Sequence, residues 1–248
     1  MSLITRSDDL ETLKAAGLKL SEIIQFGTDQ IKVGLNLLDL DQLIENEIIK
    51  NQCQPSFKGF EGYPNATCLS VNSEVVHSIP RDYNLQAEDV LGLDVGLWYK
   101  NICVDAATTI ALKPVNQNVN KLLKITLKAL NIAIKTIKSG IRVGDISATI
   151  QNVAEQNNLG IVKNLTGHGV GFNVHDHPSI PNSGQAGHGS LIKEGMVLAI
   201  EPMFTLGQGE TRTSDDGWGV ETVDHSLAAQ FEHTVLVTNS GCQVMTKK

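Results

Sequence analysis

Two carboxylates sit in the middle of a short apolar hairpin. Val90-Leu91-Gly92-Leu93-Asp94-Val95-Gly96-Leu97-Trp98 and Ile102-Cys103-Val104-Asp105-Ala106-Ala107 are β-prone runs flanking Tyr99-Lys100-Asn101. That pattern predicts an antiparallel pair over 90–110. A turn centred on Tyr99-Lys100 sets Asp94 opposite Asp105, and one centred on Lys100-Asn101 makes them diagonal neighbours. Either register leaves the carboxylates about 5–8 Å apart or closer. Two ionised acids in apolar strands repel, and each is costly to desolvate, so they call for a cation between them. The bland alternative is a hairpin whose two aspartates face water.

Other polar residues share this setting. His168 and His175 lie in Gly167-His168-Gly169-Val170-Gly171-Phe172-Asn173-Val174-His175-Asp176-His177-Pro178, where glycines let backbone approach closely and expose a ring. Glu201 ends the apolar run from Met196, before Pro202, and Glu232 opens the run Phe231–Val237. His77 sits inside Val75-Val76-His77-Ser78-Ile79, where a lone histidine is more often a satisfied core residue than a catalyst. Asp216-Gly217 makes a turn that presents Trp218. His188 and His225 lie in polar, turn-rich surroundings and are assigned to the surface. Asp94, Asp105, His168, Glu201 and Glu232 together give four carboxylates and one imidazole, a set suited to two divalent first-row ions rather than to structural zinc. Ions about 3.5–4 Å apart can share a bridging hydroxide and clamp an oxyanion.

These residues need elements to position them. Ser7-Asp8-Asp9-Leu10-Glu11 reads as a helix start, with Leu10, Leu13, Leu20, Ile23 and Ile24 on one face and a stop at Phe26-Gly27. A second helix is expected near 40–51. The loop Pro55–Pro64, rich in Gly, Pro and aromatics, reads as a plug at a core edge in preference to a pocket wall. Short strands are expected at 67–71 and 75–79. The spacing over 116–139 predicts a helix that buries Val119, Leu122, Leu123, Leu127, Leu130, Ile134 and Ile137 and stops at Gly140. Its other face carries Lys121, Lys124, Lys128, Lys135 and Lys138, either a solvated face or a docking face for a polyanion. A fourth helix is expected from Asp145 to Asn158.

An internal repeat runs through this order. Ile31-Lys32-Val33-Gly34-Leu35 recurs as Ile137-Lys138-Ser139-Gly140-Ile141, and Val90-Leu91-Gly92-Leu93-Asp94 as Val197-Leu198-Ala199-Ile200-Glu201. Two related halves, about 10–112 and 116–240 of one domain spanning 1–248, would bring Asp94 and Glu201 to a shared centre. Composition sets bounds. A hydrophobic fraction of 41% with 19% charged residues describes an ordinary soluble globular chain with a sizeable core, and the helices and strands expected above make it α/β (α+β). A net charge of −7 is no global footprint for specific nucleic acid. No apolar run approaches the roughly 20 residues of a membrane span, and residues 1–6 lack a signal-peptide core. The four cysteines, Cys53, Cys68, Cys103 and Cys242, have no CxxC spacing and read as buried reduced thiols of a cytoplasmic protein.

The chain resembles the type I methionine aminopeptidases of the short bacterial form over essentially its whole length. The match is carried by Val75-Val76-His77-Ser78-Ile79-Pro80, Leu93-Asp94-Val95-Gly96, Val104-Asp105-Ala106-Ala107, Gly167-His168-Gly169-Val170-Gly171, Ile200-Glu201-Pro202-Met203 and Phe231-Glu232-His233-Thr234. Asp216-Gly217-Trp218, Ser226-Leu227-Ala228-Ala229-Gln230 and Gly241-Cys242 also fit. The resemblance implies the pita-bread fold, two pseudo-twofold-related αβ halves around a central antiparallel sheet. It implies metal ligation by Asp94, Asp105, His168, Glu201 and Glu232, with two ions drawn from cobalt, manganese, iron, zinc or nickel. It implies that a bridging hydroxide attacks the first peptide carbonyl, that Glu201 shuttles the proton, that His175 helps stabilise the oxyanion and that His77 contacts the scissile amide. A methionine pocket would use Tyr63, Cys68 and Trp218, with Phe60 nearby.

Two positions depart from that pattern. Val174 stands where an aromatic commonly precedes the second histidine, and Phe57 where some members have a small pocket residue. Both bear on the pocket's shape and leave the metal ligands intact. The implied substrates are nascent polypeptides with N-terminal methionine before a small residue, a class the chain's own Met1-Ser2 would suit. The lysine face at Lys121–Lys138 is a candidate ribosome contact, and a monomer is expected. Two competing readings are a proline-directed peptidase of the same fold, which usually carries an additional N-terminal domain, and a non-catalytic pita-bread module that binds a ribosome or another partner.

Overall fold

The computed structural model describes residues 1–247. Four helices, α1 (Ser7–Gln30), α2 (Leu37–Lys50), α3 (Gln117–Thr136) and α4 (Val143–Glu155), form where apolar residues recur at helical spacing. Among the described residues no helix is long and apolar enough to cross a membrane. α1 continues past the expected stop at Phe26-Gly27. Gly27 is buried, and a Cβ there would meet Ile44 Cδ1 at 2.9 Å, so its small size serves packing rather than termination. α2 starts earlier than expected because the Asn36 side chain accepts the Leu38 N–H at 3.0 Å. α3 is capped the same way, with Asn116 accepting from Val119 N–H at 3.0 Å. Its buried stripe runs through Ile125, Ala129 and Ala133, and Leu127 stands 40% exposed among the lysines, contrary to expectation. α4 spans Val143–Glu155 rather than 145–158, because Asp145 accepts the Arg142 N–H at 2.8 Å and closes the first turn.

Among the described residues the strands form four antiparallel sheets, and the two larger ones lie under the helices. In the first, β2 (Val90–Tyr99) pairs with β1 (Thr67–Val71) and with Gln54–Pro55, and β3 (Ile102–Ala111) pairs with β2. In the second, β4 (Thr166–Gly169), β5 (Asp176–Pro181), β6 (Val197–Ile200), β7 (His233–Val237) and β8 (Cys242–Val244) lie in the order β8-β7-β6-β4-β5. The core divides accordingly. Leu13, Leu20, Leu40 and Ile44 pack with Leu91, Leu93 and Leu97 of the first sheet, and Leu122, Leu130, Ile146 and Ile150 pack with Leu198, Ile200 and Val235 of the second. The expected strand at 75–79 stops at Val76, and His77 takes the left-handed conformation at φ 61°. A non-glycine residue there is uncommon and marks a constrained position.

The repeat is visible bond by bond. Gly34 and Gly140 both turn with positive φ, 87° and 95°. Gly34 N–H donates to Leu85 C=O at 2.7 Å, and Gly140 N–H donates to Ile192 C=O at 2.9 Å. Leu85 N–H returns to Leu35 C=O, as Ile192 N–H does to Ile141 C=O, and Leu37 N–H reaches Tyr83 C=O as Val143 N–H reaches Ser190 C=O. The turn that leads from one helix to the next is thus held to the following loop by the same three bonds in each half, and this sets the two halves as pseudo-twofold equivalents.

The C-terminal segment closes over α1 at Gly17. A Cβ at Gly17 would lie 2.2 Å from the Met245 carbonyl oxygen, a backbone atom that moves only with its chain. Gly17→Ala is expected to destabilise the protein by about 1–3 kcal/mol despite alanine's better helix propensity. A denaturant midpoint equal to or above that of the unmodified protein would refute this packing account.

Candidate metal centre

The hairpin register places the first two acids. Tyr99 pairs with Ile102, so the turn is centred on Lys100-Asn101, and Lys100 adopts φ 54°. Asp94 then faces Ala107, while Asp105 faces Gly96, which makes the carboxylates diagonal neighbours on one sheet face. The other three expected ligands come from the second sheet. His168 pairs with Ala199 across β4 and β6, and His233 pairs with Ile200 across β7 and β6. That second pairing sets Glu201, just past β6, beside Glu232, just before β7. The two sheets are tied at this seam. Glu232 N–H donates to Ala107 C=O at 2.9 Å. Thr234 Oγ1 accepts from Asp105 N–H at 2.9 Å and donates to Asp105 C=O at 2.7 Å. Thr109 Oγ1 accepts from Gln230 N–H and donates to Gln230 C=O in the same manner.

Three supporting groups escape a reading of the sequence. Thr234 joins the strands. The Gln230 side-chain amide approaches Asp94 Oδ2 at 3.4 Å and Glu201 Oε2 at 3.3 Å. Asp176 anchors the loop behind His175: it accepts from Ser2 Oγ at 2.8 Å and pairs with the Met1 ammonium, while Ser2 Oγ accepts from Phe172 N–H at 2.9 Å. A polar residue inside an apolar run is the signal that could have found Gln230 and Thr234. Nothing local marks Ser2, whose partners lie some 170 residues away.

The electrostatics fit a divalent cation. Asp94 Oδ1, Asp105 Oδ1 and Glu232 Oε1 are buried and accept no hydrogen bond among the described residues. An orphaned carboxylate oxygen is expensive unless a cation takes it up. Asp105, His168 and Glu232 each offer one ligand atom, and the three atoms lie within 4.8 Å of one another. His168 Nδ1 lies 2.8 Å from Gly169 C=O, which fixes the proton on that nitrogen and frees Nε2, 3.7 Å from Glu201 Oε1. Burial, reinforced by the neighbouring acids, pushes the carboxyls of Asp94, Glu201 and Glu232 well above the usual range, and burial raises Asp105 to about 7. Burial lowers His168 to about 3 and keeps it neutral, as a ligand must be.

The cluster forms the floor of a cavity of about 590 Å³. His77, His175, Tyr63, Cys68, Phe60 and Trp218 line its walls with Phe57, so the structure brings every expected site residue to one place. The Pro55–Pro64 loop supplies pocket wall as well as core edge, which corrects the expectation of a plug. The loop is fixed because the Tyr63 hydroxyl reaches the carbonyls of Thr67 and Ser78, each at 3.0 Å. Tyr63 meets Trp218 edge-on at 5.2 Å, Phe60 meets His175 at 5.3 Å, and His168 meets His175 at 4.4 Å. Cys68 pairs with Asp94 across β1 and β2. Val174 is buried in the first core rather than in this cavity, and the Phe57 ring covers Gly96, where a Cβ would meet it at 2.7 Å. His188 and His225 are exposed and distant from the cavity lining, as expected.

The acids and histidines act on stability in opposite senses. The neutral, buried histidines favour the fold as pH rises toward 6.5, since only the unfolded chain takes up their protons. The raised carboxyls hold protons that the unfolded chain has released, so their contribution is present at low pH and is lost as pH climbs through about 7 and beyond. Above pH 6.5 the carboxyls govern. The metal-free protein should therefore lose thermal stability between pH 6.5 and 8, and excess manganese should remove that loss. Melting curves in chelator and in manganese check this, and an identical pH trend in both would show that the acids are not cation ligands.

A sequence profile for metallopeptidase family M24 matches residues 11–239. A protein named methionine aminopeptidase from Mycoplasma capricolum is 40% identical over 248 residues, covering 100% of this chain and 99% of its own. The crystal structure of a methionine aminopeptidase from Thermotoga maritima superposes with a TM-score of 0.97 at 37% identity, covering 100% of both chains. The prolidase from Pyrococcus furiosus superposes at a TM-score of 0.82 over 66% of its length, and its 21% identity speaks to the fold alone. That fold is the pita bread, in agreement with the two αβ halves described above. The buried acid cluster, the strand order and the full-length identity converge, and the chain belongs to metallopeptidase family M24, among its methionine aminopeptidases.

Proposed function

We propose that this chain removes the N-terminal methionine from polypeptides whose second residue is small. The observation that carries this reading is the set of orphaned, buried carboxylates at the floor of an aromatic-walled cavity, in a chain 40% identical from end to end to a named methionine aminopeptidase. Asp94, Asp105, His168, Glu201 and Glu232 are the residues that would hold the metal, as two ions. Their hard oxygen donors accept cobalt, manganese, iron, zinc or nickel. When bound, such ions supply Lewis acidity and make water acidic enough to attack a carbonyl at neutral pH.

The remaining chemistry belongs to the chain. Glu201, whose proton affinity is raised by burial and by Asp94 and Asp105, takes up a proton and returns it to the leaving amine. Burial lowers His175, so it is neutral near pH 7 and can donate one N–H to the developing oxyanion. His77, lowered to about 4 by burial and by His175, is likewise neutral, and its left-handed backbone aims the ring into the cavity beside the scissile amide. Tyr63, Cys68, Phe60 and Trp218 receive the methionine side chain, whose polarizable sulfur favours aromatic edges. The walls exclude water and so strengthen each of these interactions.

The substrates on this reading are nascent proteins, and the compartment is the cytoplasm. Lys121, Lys124, Lys128 and Lys135 on α3, with Lys138 just beyond its end, are exposed, and among the described residues none of them forms an ion pair. A free cationic band of this kind suits transient contact with the ribosome by a monomeric enzyme.

Cleavage of a Met-Gly-type peptide should exceed that of a Gly-Pro-type peptide, depend on added cobalt or manganese, and stop with chelator. Preferential cleavage before proline would move the chain to the prolidase branch, and bound metal with no cleavage of either would support a non-catalytic module. His77→Ala and His175→Ala should each lose at least about 100-fold in kcat, the low end of what a positioned proton donor contributes, while keeping metal measured by elemental analysis. Asp94→Asn should lose metal as well. Replacing Lys121, Lys124 and Lys128 by Glu should weaken co-sedimentation with ribosomes at low salt and leave peptide cleavage intact. Unchanged co-sedimentation would dismiss the docking role.

A further inference from the structure

A second cavity, of about 480 Å³, opens beside the first. Phe60 and His175 line both, so the two cavities adjoin at these side chains. Trp98 and Phe172 form the far part of the second cavity. Trp98 shares a face of β2 with Asp94, because residues two apart along a strand point the same way. Four residues of strand rise put it about 13 Å from Asp94. Phe172 is 39% exposed and Trp98 half-buried.

Trp98 packs partly against the first core, while Phe172 stands exposed on a firm mounting. Phe172 N–H donates to Ser2 Oγ at 2.9 Å, and the preceding Gly171 C=O accepts from Cys103 N–H at 2.7 Å. Lys58, at the edge of the cavity, is engaged by Glu45 at 2.7 Å. The shelf therefore presents aromatic surface with no free charge.

We propose that this shelf is a substrate subsite, which takes apolar or aromatic side chains at about the fourth to sixth residues of the polypeptide. The proposal rests on the aminopeptidase reading. A substrate cut after its first residue must send the rest of its length out over the rim of the cavity. An extended chain advances about 3.3 Å per residue, so with residue 1 over the acids, residues 4–6 fall about 10–17 Å away, at the distance of Trp98. Aromatic platforms of this kind bind apolar side chains with offset or edge contacts and little loss of side-chain entropy.

The test compares three peptides with manganese-loaded enzyme: Met-Ala-Ser, Met-Ala-Ser-Leu-Phe-Leu and Met-Ala-Ser-Ser-Gly-Ser. The unmodified enzyme should prefer the Leu-Phe-Leu peptide over the Ser-Gly-Ser peptide about tenfold in kcat/KM, mainly through KM. Phe172→Ser should reduce that preference to within about twofold, and Phe172→Tyr should restore it. Equal rates for the two hexapeptides in the unmodified enzyme, or a preference that survives Phe172→Ser, would overturn the subsite. Failure of the unmodified enzyme to release methionine even from Met-Ala-Ser would instead overturn the aminopeptidase reading, and the subsite with it.

Discussion

Uncompensated negative charge in a buried place is the constraint on which this molecule turns. Asp94, Asp105 and Glu232 have oxygens that no protein donor reaches among the described residues, and Glu201 joins them at the same floor. Gln230 offers only long contacts to two of the four acids. Protons or divalent cations must make up the deficit, and at neutral pH a cation does so far more effectively than partial protonation. The site thus trades fold stability for affinity toward metal, and the surrounding framework must hold four mutually repelling groups in place until a cation binds.

That framework is the seam between the two sheets. The acids arrive in pairs, two from the hairpin of the first half and two from adjacent strand ends of the second. Thr234 and Thr109 each use one hydroxyl as donor and acceptor to lock β3 against the opposite half. Such bonds replace the lateral pairing that sheets lack at their junction. The repeated three-bond staple between each helix turn and its following loop keeps both halves in the same geometry. Pseudo-symmetry then has a chemical use: it sets Asp94 and Glu201, equivalent strand positions, on either side of one site.

The walls above this floor follow a different logic. Their aromatic members Tyr63, Phe60 and Trp218 lie outside the strands, while Cys68 comes from β1. Tyr63, Phe60 and Trp218 are locked by edge-on contacts and by the Tyr63 hydroxyl, so the pocket is shaped before substrate enters. Phe57 lies over Gly96, while Val174 packs in the core and lines only the second cavity. Trp98 and Phe172 line the adjoining cavity on the other side of Phe60 and His175.

The candidate metal ligands are legible in the sequence because each breaks an apolar or glycine-rich pattern, and an ionisable group buried in such a run must be compensated by a partner or a cation. The repeat is legible because the same helix turn and strand recur at a near-constant offset. The register of the hairpin is not, since both turn centres satisfy the same alternation, and only the pairing of Tyr99 with Ile102 decides it. Gly27 misleads as a helix stop, because close packing against Ile44 needs a glycine within a continuing helix. Leu127 misleads as a core residue, because periodicity reports a face and not what lies opposite it. Ser2 and Asp176 bear on the loop that carries His175 through contacts spanning 174 positions, and no local pattern encodes a contact at that separation. Residue types and their order determined the chemistry available to this chain. Tertiary structure decided which groups meet, because distances between strands of different halves are set by packing and hydrogen bonds that have no counterpart in local sequence.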